Sequence, residues 1–329
     1  MKRLAATLVA ATVASVLGLV LLAVPVSAQQ YPSRTVNIIC PYPAGGPTDQ
    51  TARVLANFLS KKFGQNFIVE NVTGGGTNIA TNRVAKATPD GYTLLLHNLQ
   101  ISANPTLYKS LTFDTVKDLT AVMMVNNNPL VMVGRKDLPP NTLAELLTYM
   151  KTNRLKAALP GYGATGHLAT TLVAQEAKVQ IDQIPYRGAA PAITDLLGGH
   201  VDLFFATPQS IVPQVKAGQL KAFGVTSAAK LEKLPDVGSF VKALGPKLEI
   251  LYWQAMYAPA GTPDAVINTL NAALQEAVTD ATIIKTWDDE GFFIYPKEQR
   301  TVAFANEQLK SEIARWGQVI RDNNIHVDQ

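Results

Sequence analysis

Four short stretches place glycine or other small residues between an apolar run and a helix-like run: PAGGPTD (43–49), TGGGTN (73–78), GYGATGH (161–167) and YRGAAPA (186–192). A helix begins with backbone N–H groups that lack intrahelical partners and with the positive end of its dipole, so such starts attract anions. Glycine removes the Cβ that would hold a ligand away from those N–H groups. The chemistry on offer is capture of an anionic group. GYGATG (161–166) also fits G-x-G-x-x-G, the fingerprint of dinucleotide-binding folds. That fingerprint wants an acid at the end of the following strand, and Asp182 stands near the start of IDQIPYR (181–187). The dinucleotide reading is therefore set aside, leaving anion capture or glycines that merely close tight turns.

The side chains around these loops keep two readings each. His167 opens a helix and either donates to a ligand or serves in capping and packing. His97, beside Asn98 at a strand end, has the same two options. Asp49 caps its helix or touches ligand, with capping the simpler role. Arg187 follows a strand; its planar fork matches a carboxylate, the alternative being a surface ion pair. Tyr42, Tyr162 and Tyr186 sit at strand ends and either wall a ligand body or pack at a core edge. His200 falls in a turn, facing solvent, and His326 lies near the C-terminus. The four histidines have no metal-ligand spacing, and G-x-S-x-G, H-E-x-x-H and C-x-x-C do not occur. No catalytic residue, metal site or cofactor is assigned.

The elements that position these loops alternate between strand and helix. TVNIICPY (35–42), FIVEN (67–71) and YTLLLHN (92–98) read as strands, with helices over 51–64 and 77–87 between them. That β-α-β-α-β order implies a parallel sheet with right-handed crossovers. A second set follows Pro129: LVMVGR, a helix opened by the capping box Thr142–Glu145, then strand-like KAAL (156–159), QIPYR (183–187), VDLFFA (201–206) and LKAFGVT (220–226). YWQAMYAPA (252–260) reads as a buried strand returning to the first set. The last helix carries Val302, Ala305, Leu309, Ile313, Trp316 and Ile320 on one stripe. No fixed-period repeat or low-complexity linker interrupts the chain.

The N-terminus reads as an export signal. Lys2 and Arg3 precede an apolar run ending at Pro25, then small residues through Ala28 and polar Gln29-Gln30. An uncleaved anchor is the alternative. Cleavage near Ala28 implies a periplasmic location. It also removes two cations from a chain of 29 basic and 25 acidic residues. A nearly balanced chain offers no global field for nucleic acid or an anionic membrane. The single cysteine, Cys40, excludes an internal disulfide and reads as a buried small hydrophobe.

YPSRTVNIICPYPAGGPTDQTAR, VENVTGGGTNIATNRVAKATPDGYTLL, ANPTLY, GYGATGHLA, YRGAAPAITDLLGGHVDLFF and APAGTP occur in this order from Tyr31 onward. In these segments the chain resembles the Bug-type (TctC-like) periplasmic solute receptors of tripartite tricarboxylate transporters. The resemblance implies an α/β, type II periplasmic binding protein: two lobes with parallel-rich sheets and a ligand cleft between them. It implies lobe 1 over 29–127 plus 255–329, lobe 2 over 128–254, and a signal peptide over 1–28. Carried over by residue, the first-lobe carboxylate contact falls on Ala44, Gly45, Gly46, Thr48 and Asp49, with Thr77 and Asn98. The second-lobe contact falls on Gly163, Thr165, Gly166 and His167, with Arg187, Ala206 and Thr207. Pro47 stands where many relatives carry glycine. The implied role is capture of an organic carboxylate, best a dicarboxylate with an aliphatic or aromatic body, by a monomer that delivers it to inner-membrane permease subunits without catalysis. A secreted enzyme for a carboxylated substrate and a metabolite-sensing receptor on the same fold are the alternatives.

Overall fold

The computed structural model describes residues 31–327. The expected signal peptide lies outside the described residues. The chain divides between Ser33 and Arg34, and the unit from Arg34 onward holds every strand and helix of the described residues.

The first sheet starts with β1 (Val36–Cys40), whose burial is nearly complete, followed by helix α1 (Pro47–Phe63) and β2 (Phe67–Asn71). α1 begins four residues before the start its apolar stripe suggests, because Pro47 occupies the first turn, where an N–H is not needed. Gly64 ends it in the left-handed region at φ 66°. A short turn of 3₁₀-helix, Gly75–Thr77, leads into α2 (Asn78–Ala85), then β3 (Thr93–Asn98) and α3 (Gln100–Leu107). β1 pairs in parallel with both β2 and β3, as the alternating pattern predicts.

Next comes an 11-residue strand, β4 (Leu119–Pro129), which continues through Leu130 into β5 (Val131–Arg135) of a second sheet. That sheet is built by α4 (Leu143–Tyr149), β6 (Leu155–Leu159), α5 (Thr165–Glu176), β7 (Ile181–Pro185), α6 (Ala189–Leu197), β8 (Leu203–Ala206), α7 (Pro208–Lys216), β9 (Leu220–Val225) and β10 (Gly238–Ser239). β7 ends at Pro185, two residues earlier than the sequence pattern suggests, because its parallel register with β6 closes at Leu159↔Pro185. Tyr186 and Arg187 are thereby released into the loop. After α8 (Phe240–Leu244), β11 (Leu251–Pro259) returns to the first sheet, followed by α9 (Asp264–Ala277), α10 (Ala281–Glu290), β12 (Phe293–Ile294) and α11 (Val302–Asp322).

Sheet order is β12-β4-β11-β3-β1-β2 in one lobe and β10-β9-β5-β8-β6-β7 in the other. The first is parallel at its β3-β1-β2 end and the second at both ends, and each is antiparallel where the connecting strands enter: β11 runs antiparallel to β3 and β4, and β5 to β8 and β9. Thr226, fully buried, joins the connections. Its Oγ1 accepts from Leu130 N (2.8 Å) and donates to the Ile250 carbonyl (2.6 Å).

Helix α11 covers the first sheet with Ala305, Leu309, Trp316 and Ile320 buried, while Val302 and Ile313 are half-buried at the edges of the stripe. Leu309 and Ile320 each contribute about 1.5–3 kcal/mol by leaving water. Buried Glu312 on the same helix accepts hydrogen bonds from Trp253 Nε1 (3.1 Å) and Trp316 Nε1 (3.0 Å), pinning α11 to β11. No helix of the described residues is long and apolar enough to cross a membrane.

Candidate functional site

Four helices point their first turns at one cavity, and none has a side-chain cap. Their N-caps are Gly46 (α1), Ala164 (α5), Gly188 (α6) and Thr207 (α7), all of which line the cavity. Away from it, α4, α8, α10 and α11 are capped by Thr142, Ser239, Asp280 and Thr301, while α2, α3 and α9 also have no side-chain cap. Without a cap, first-turn N–H groups remain available to an acceptor supplied from outside. The cavity together with its open mouth spans about 680 Å³. A wider groove, about 2260 Å³ with the solvent at its open side, continues from it, past Tyr42, Pro43, Pro160, Arg187 and Gly188, to the Gly74–Asn78 turn.

Of the residues singled out in the sequence, Tyr42, Ala44, Gly46, Thr48, Asn98, Thr165, Gly166, Arg187, Ala206 and Thr207 line the cavity together. Its floor is a hydroxyl–amide cluster. Tyr42 OH donates to Asn98 Oδ1 (2.7 Å), and Thr48 Oγ1 lies 2.7 Å from the Tyr252 hydroxyl. Asn98 Nδ2 donates to Tyr252 Oη at 3.1 Å. Burial pushes the Tyr252 hydroxyl up to about 12, so it stays protonated. Opposite this floor, Thr165 at the start of α5 is 3% exposed, and its Oγ1 has no hydrogen-bond partner. Buried hydroxyls are normally paired, so an unpaired one facing a cavity marks a place for a ligand or water. Arg187 is exposed at the mouth, where cavity and groove meet, and makes no ion pair with the described residues.

Of the residues carried over from the resemblance, five do not line the cavity. Asp49 is buried and turned inward, with Oδ2 accepting from Gly45 N and Arg53 Nε and Oδ1 from Asn71 Nδ2, each at 2.9 Å. Burial alone would raise its carboxyl, but these hydrogen bonds outweigh it and hold the group below the usual range. Gly45 stays beside it. Thr77 borders the groove and is held by His97 Nε2 and Asn104 Nδ2, both at 3.0 Å. Gly163 is buried at φ 75°, and its N–H donates to His167 Nδ1 at 2.9 Å. His167 therefore holds the glycine loop in shape. Burial depresses its imidazole to about 4, and that of fully buried His97 to about 3, so both are neutral near pH 7. Tyr162 and Tyr186 border the groove, and Tyr186 OH donates to Asp195 Oδ2.

Several lining residues had no signal in the sequence. Tyr252 enters from β11, far along the chain, and Phe204, Phe205 and Leu130 reach the cavity from the strands beneath it. Only VDLFF gave a hint, as a strand whose end faces the same side as the loops. Among the described residues no cluster of three metal-ligating side chains occurs.

This geometry has known counterparts. The family model "Tripartite tricarboxylate transporter family receptor" matches residues 51–325. The chain belongs to that family. Protein BugT of Bordetella pertussis is 33% identical over 306 residues, covering 92% of this chain and 93% of BugT. Among family structures, MatC from Rhodopseudomonas palustris with bound malate superposes at TM-score 0.83 and 31% identity, covering 88% of this chain and all of that one. Rpa4515 of R. palustris with adipate gives 0.84 and 30%, covering 90% and 99%. The family is one of solute receptors, and the fold is that of periplasmic binding proteins with two α/β lobes.

Proposed function

We propose that this tripartite tricarboxylate transporter family receptor captures an organic carboxylate in the cavity between its sheets and passes it to inner-membrane permease subunits without changing it. The observation that carries this reading is the convergence of four uncapped helix starts on the partnerless Thr165 hydroxyl, with Arg187 at the mouth. Relatives bound to malate and adipate support the ligand class. A dicarboxylate fits best: one end sits among the helix starts, and the other extends past Arg187 into the groove. The tyrosines and phenylalanines of the wall suit an aliphatic or aromatic body alike.

On this reading the two sheets are lobes that close around the ligand. β4–Leu130–β5 and the Thr226–Leu251 stretch form the hinge, within a few residues of divisions at 128 and 254. Closure is a population shift driven by ligand contacts made to both lobes. Export with a cut near Ala28 and a monomeric state complete the proposal.

Thermal melting of the chain from Gln29 onward, titrated with malate, adipate, succinate and aromatic dicarboxylates, tests it. A ligand specific for the folded state raises Tm progressively with concentration. Turnover of one of these acids, with no concentration-dependent shift for any, would replace the receptor reading with the enzymatic one.

A further inference from the structure

Among the described residues the chain passes between the two sheets twice, and one side chain holds both passages. Pro129 and Leu251 close the β4–β11 ladder of the first sheet. One residue further toward the second sheet, Leu130 and Ile250 bond to Thr226 instead. Thr226 N donates to the Leu130 carbonyl and Ile250 N to the Thr226 carbonyl, both at 2.9 Å. The Thr226 hydroxyl adds a bond to each passage. It accepts from Leu130 N at 2.8 Å, and its proton goes to the Ile250 carbonyl at 2.6 Å rather than to the Leu130 carbonyl at 3.5 Å. Leu130, Thr226 and Ile250 are all buried, so these bonds are shielded from bulk water.

Anchors on either side confine the step between the lobes. On the second-lobe side, Leu130 leads directly into Val131, which pairs with both Ala206 and Val225. On the first-lobe side stands the Leu251–Pro129 pair, and the Arg315 guanidinium of α11 donates to the Glu249 carbonyl. One peptide unit therefore presents Glu249 O to the first lobe and Ile250 N to Thr226 of the second. Rotation of lobe against lobe must be absorbed between these anchors, at Pro129–Leu130 and Ile250–Leu251. The ring of Pro129 already fixes one of the torsions there. Without the hydroxyl, Leu130 N and the Ile250 carbonyl lose their partners, and each passage can turn independently of the other.

We propose that Thr226 is a positioning residue for solute capture: its hydroxyl clasps the two passages into one pivot, so that the lobes close along a single path. The inference rests on the closing-receptor reading above and assigns its pivot. Thr226 does not line the cavity or the groove, so it acts through the backbone and not on the ligand. Hinges are a few residues that absorb the backbone change of closure. Loosening one multiplies the open arrangements without adding a contact to the closed one. The closed population then falls, and apparent affinity falls with it. The loss belongs to the step that forms the closed complex rather than to release.

Spin labels on Lys86→Cys and Thr194→Cys, exposed positions at the end of α2 and on α6, report the distance between the lobes by double electron–electron resonance. Cys40 is buried and stays unlabelled. Three variants are compared with the parent chain: Thr226→Val, Thr226→Ser, and Thr262→Val, which removes a buried hydroxyl bonded to the Pro259 carbonyl within the first lobe. Thr226→Ala takes the place of Thr226→Val if the latter does not fold. Without ligand, Thr226→Val is expected to broaden the distance distribution, while Thr226→Ser and Thr262→Val keep that of the parent. Affinity for whichever of malate, adipate and succinate binds the parent should fall about three- to tenfold in Thr226→Val, the worth of one neutral hydrogen bond, and return in Thr226→Ser. An unchanged distribution in Thr226→Val overturns the inference, as does a broadened one with parental affinity. Equal weakening in Thr262→Val also overturns it, because lost stability would then be the cause. If none of these acids binds the parent, the carboxylate reading loses its support, and the ligand-free distributions still decide whether the clasp exists.

Discussion

Gln100 Nε2 donates to two carbonyls at 3.2 Å each, that of Gly76 beside it and that of Tyr162 in the glycine loop of the other lobe. One buried amide thus ties helix α3 of the first sheet to the turn that starts α5 of the second. Gln100→Leu keeps the volume and removes the bridge, leaving the Tyr162 carbonyl without its partner. Since a neutral hydrogen bond contributes about 0.5–1.5 kcal/mol net, affinity for an acid that binds the wild type should fall about three- to tenfold. The loss should appear as faster release in stopped-flow measurements. Unchanged release would remove this bridge from the closed state.

Thr165→Val separates binding from folding. The hydroxyl has no partner in the protein and is buried, so replacing it with a methyl should leave Tm unchanged or raise it slightly. The same change takes a donor from the ligand, and affinity is expected to drop about tenfold or more, since hydrogen bonds to charged acceptors are worth about 1.5–3 kcal/mol. Equal affinity in the two proteins would place the carboxylate elsewhere.

The elements that could be read from the sequence are those whose burial is continuous. VNIIC, FIVEN and TLLLHN form parallel strands within a residue or two of where their apolar runs lie. β4 is not legible in the sequence, because its second half, Val125-Asn126-Asn127-Asn128, carries the polar signature of a turn. Its antiparallel partner β11, not its own composition, keeps it extended. The same distinction holds at the site. Glycine loops announce helix starts, so Gly46, Thr165 and Gly166 were legible. Tyr252 reaches Thr48 across 204 positions of sequence, a juxtaposition that only the sheet order creates. Asp49 and His167 keep two readings in the sequence, ligand contact or a local role, because their types suit both; the first helical turn directs each side chain back onto its own loop.

Acid should destabilise the protein well before its carboxylates protonate. His97 and His167 have folded values depressed to about 3 and about 4, against about 6.5 in an unfolded chain. Between those limits the unfolded state binds more protons, so stability is full above about pH 6.5 and falls as pH drops. Each histidine contributes up to about 1.4 kcal/mol per pH unit. Urea midpoints should be level from pH 8 to pH 7 and decline toward pH 5, with a shallower decline in His167→Gln. A midpoint that holds steady to pH 5 would contradict the buried neutral state of both rings.

Gly163 and Gly45 allow backbone strain to be distinguished from contact between lobes. Both lie in the left-handed region, at φ 75° and 80°, so alanine costs each about 1–2 kcal/mol in its loop. A Cβ on Gly45 meets nothing within 4 Å, whereas one on Gly163 comes within 2.7 Å of Leu107 Cδ1 on α3 of the other lobe. If closure brings the Gly163 loop against α3 as it does here, Gly163→Ala must push the lobes apart or displace Leu107. Affinity should then fall further in Gly163→Ala than in Gly45→Ala, and small-angle scattering of the ligand-saturated protein should give a larger radius of gyration for Gly163→Ala alone. Equal losses in the two variants, with no change in size, would mean that strain in the loop accounts for both and that the approach to Leu107 plays no part in closure.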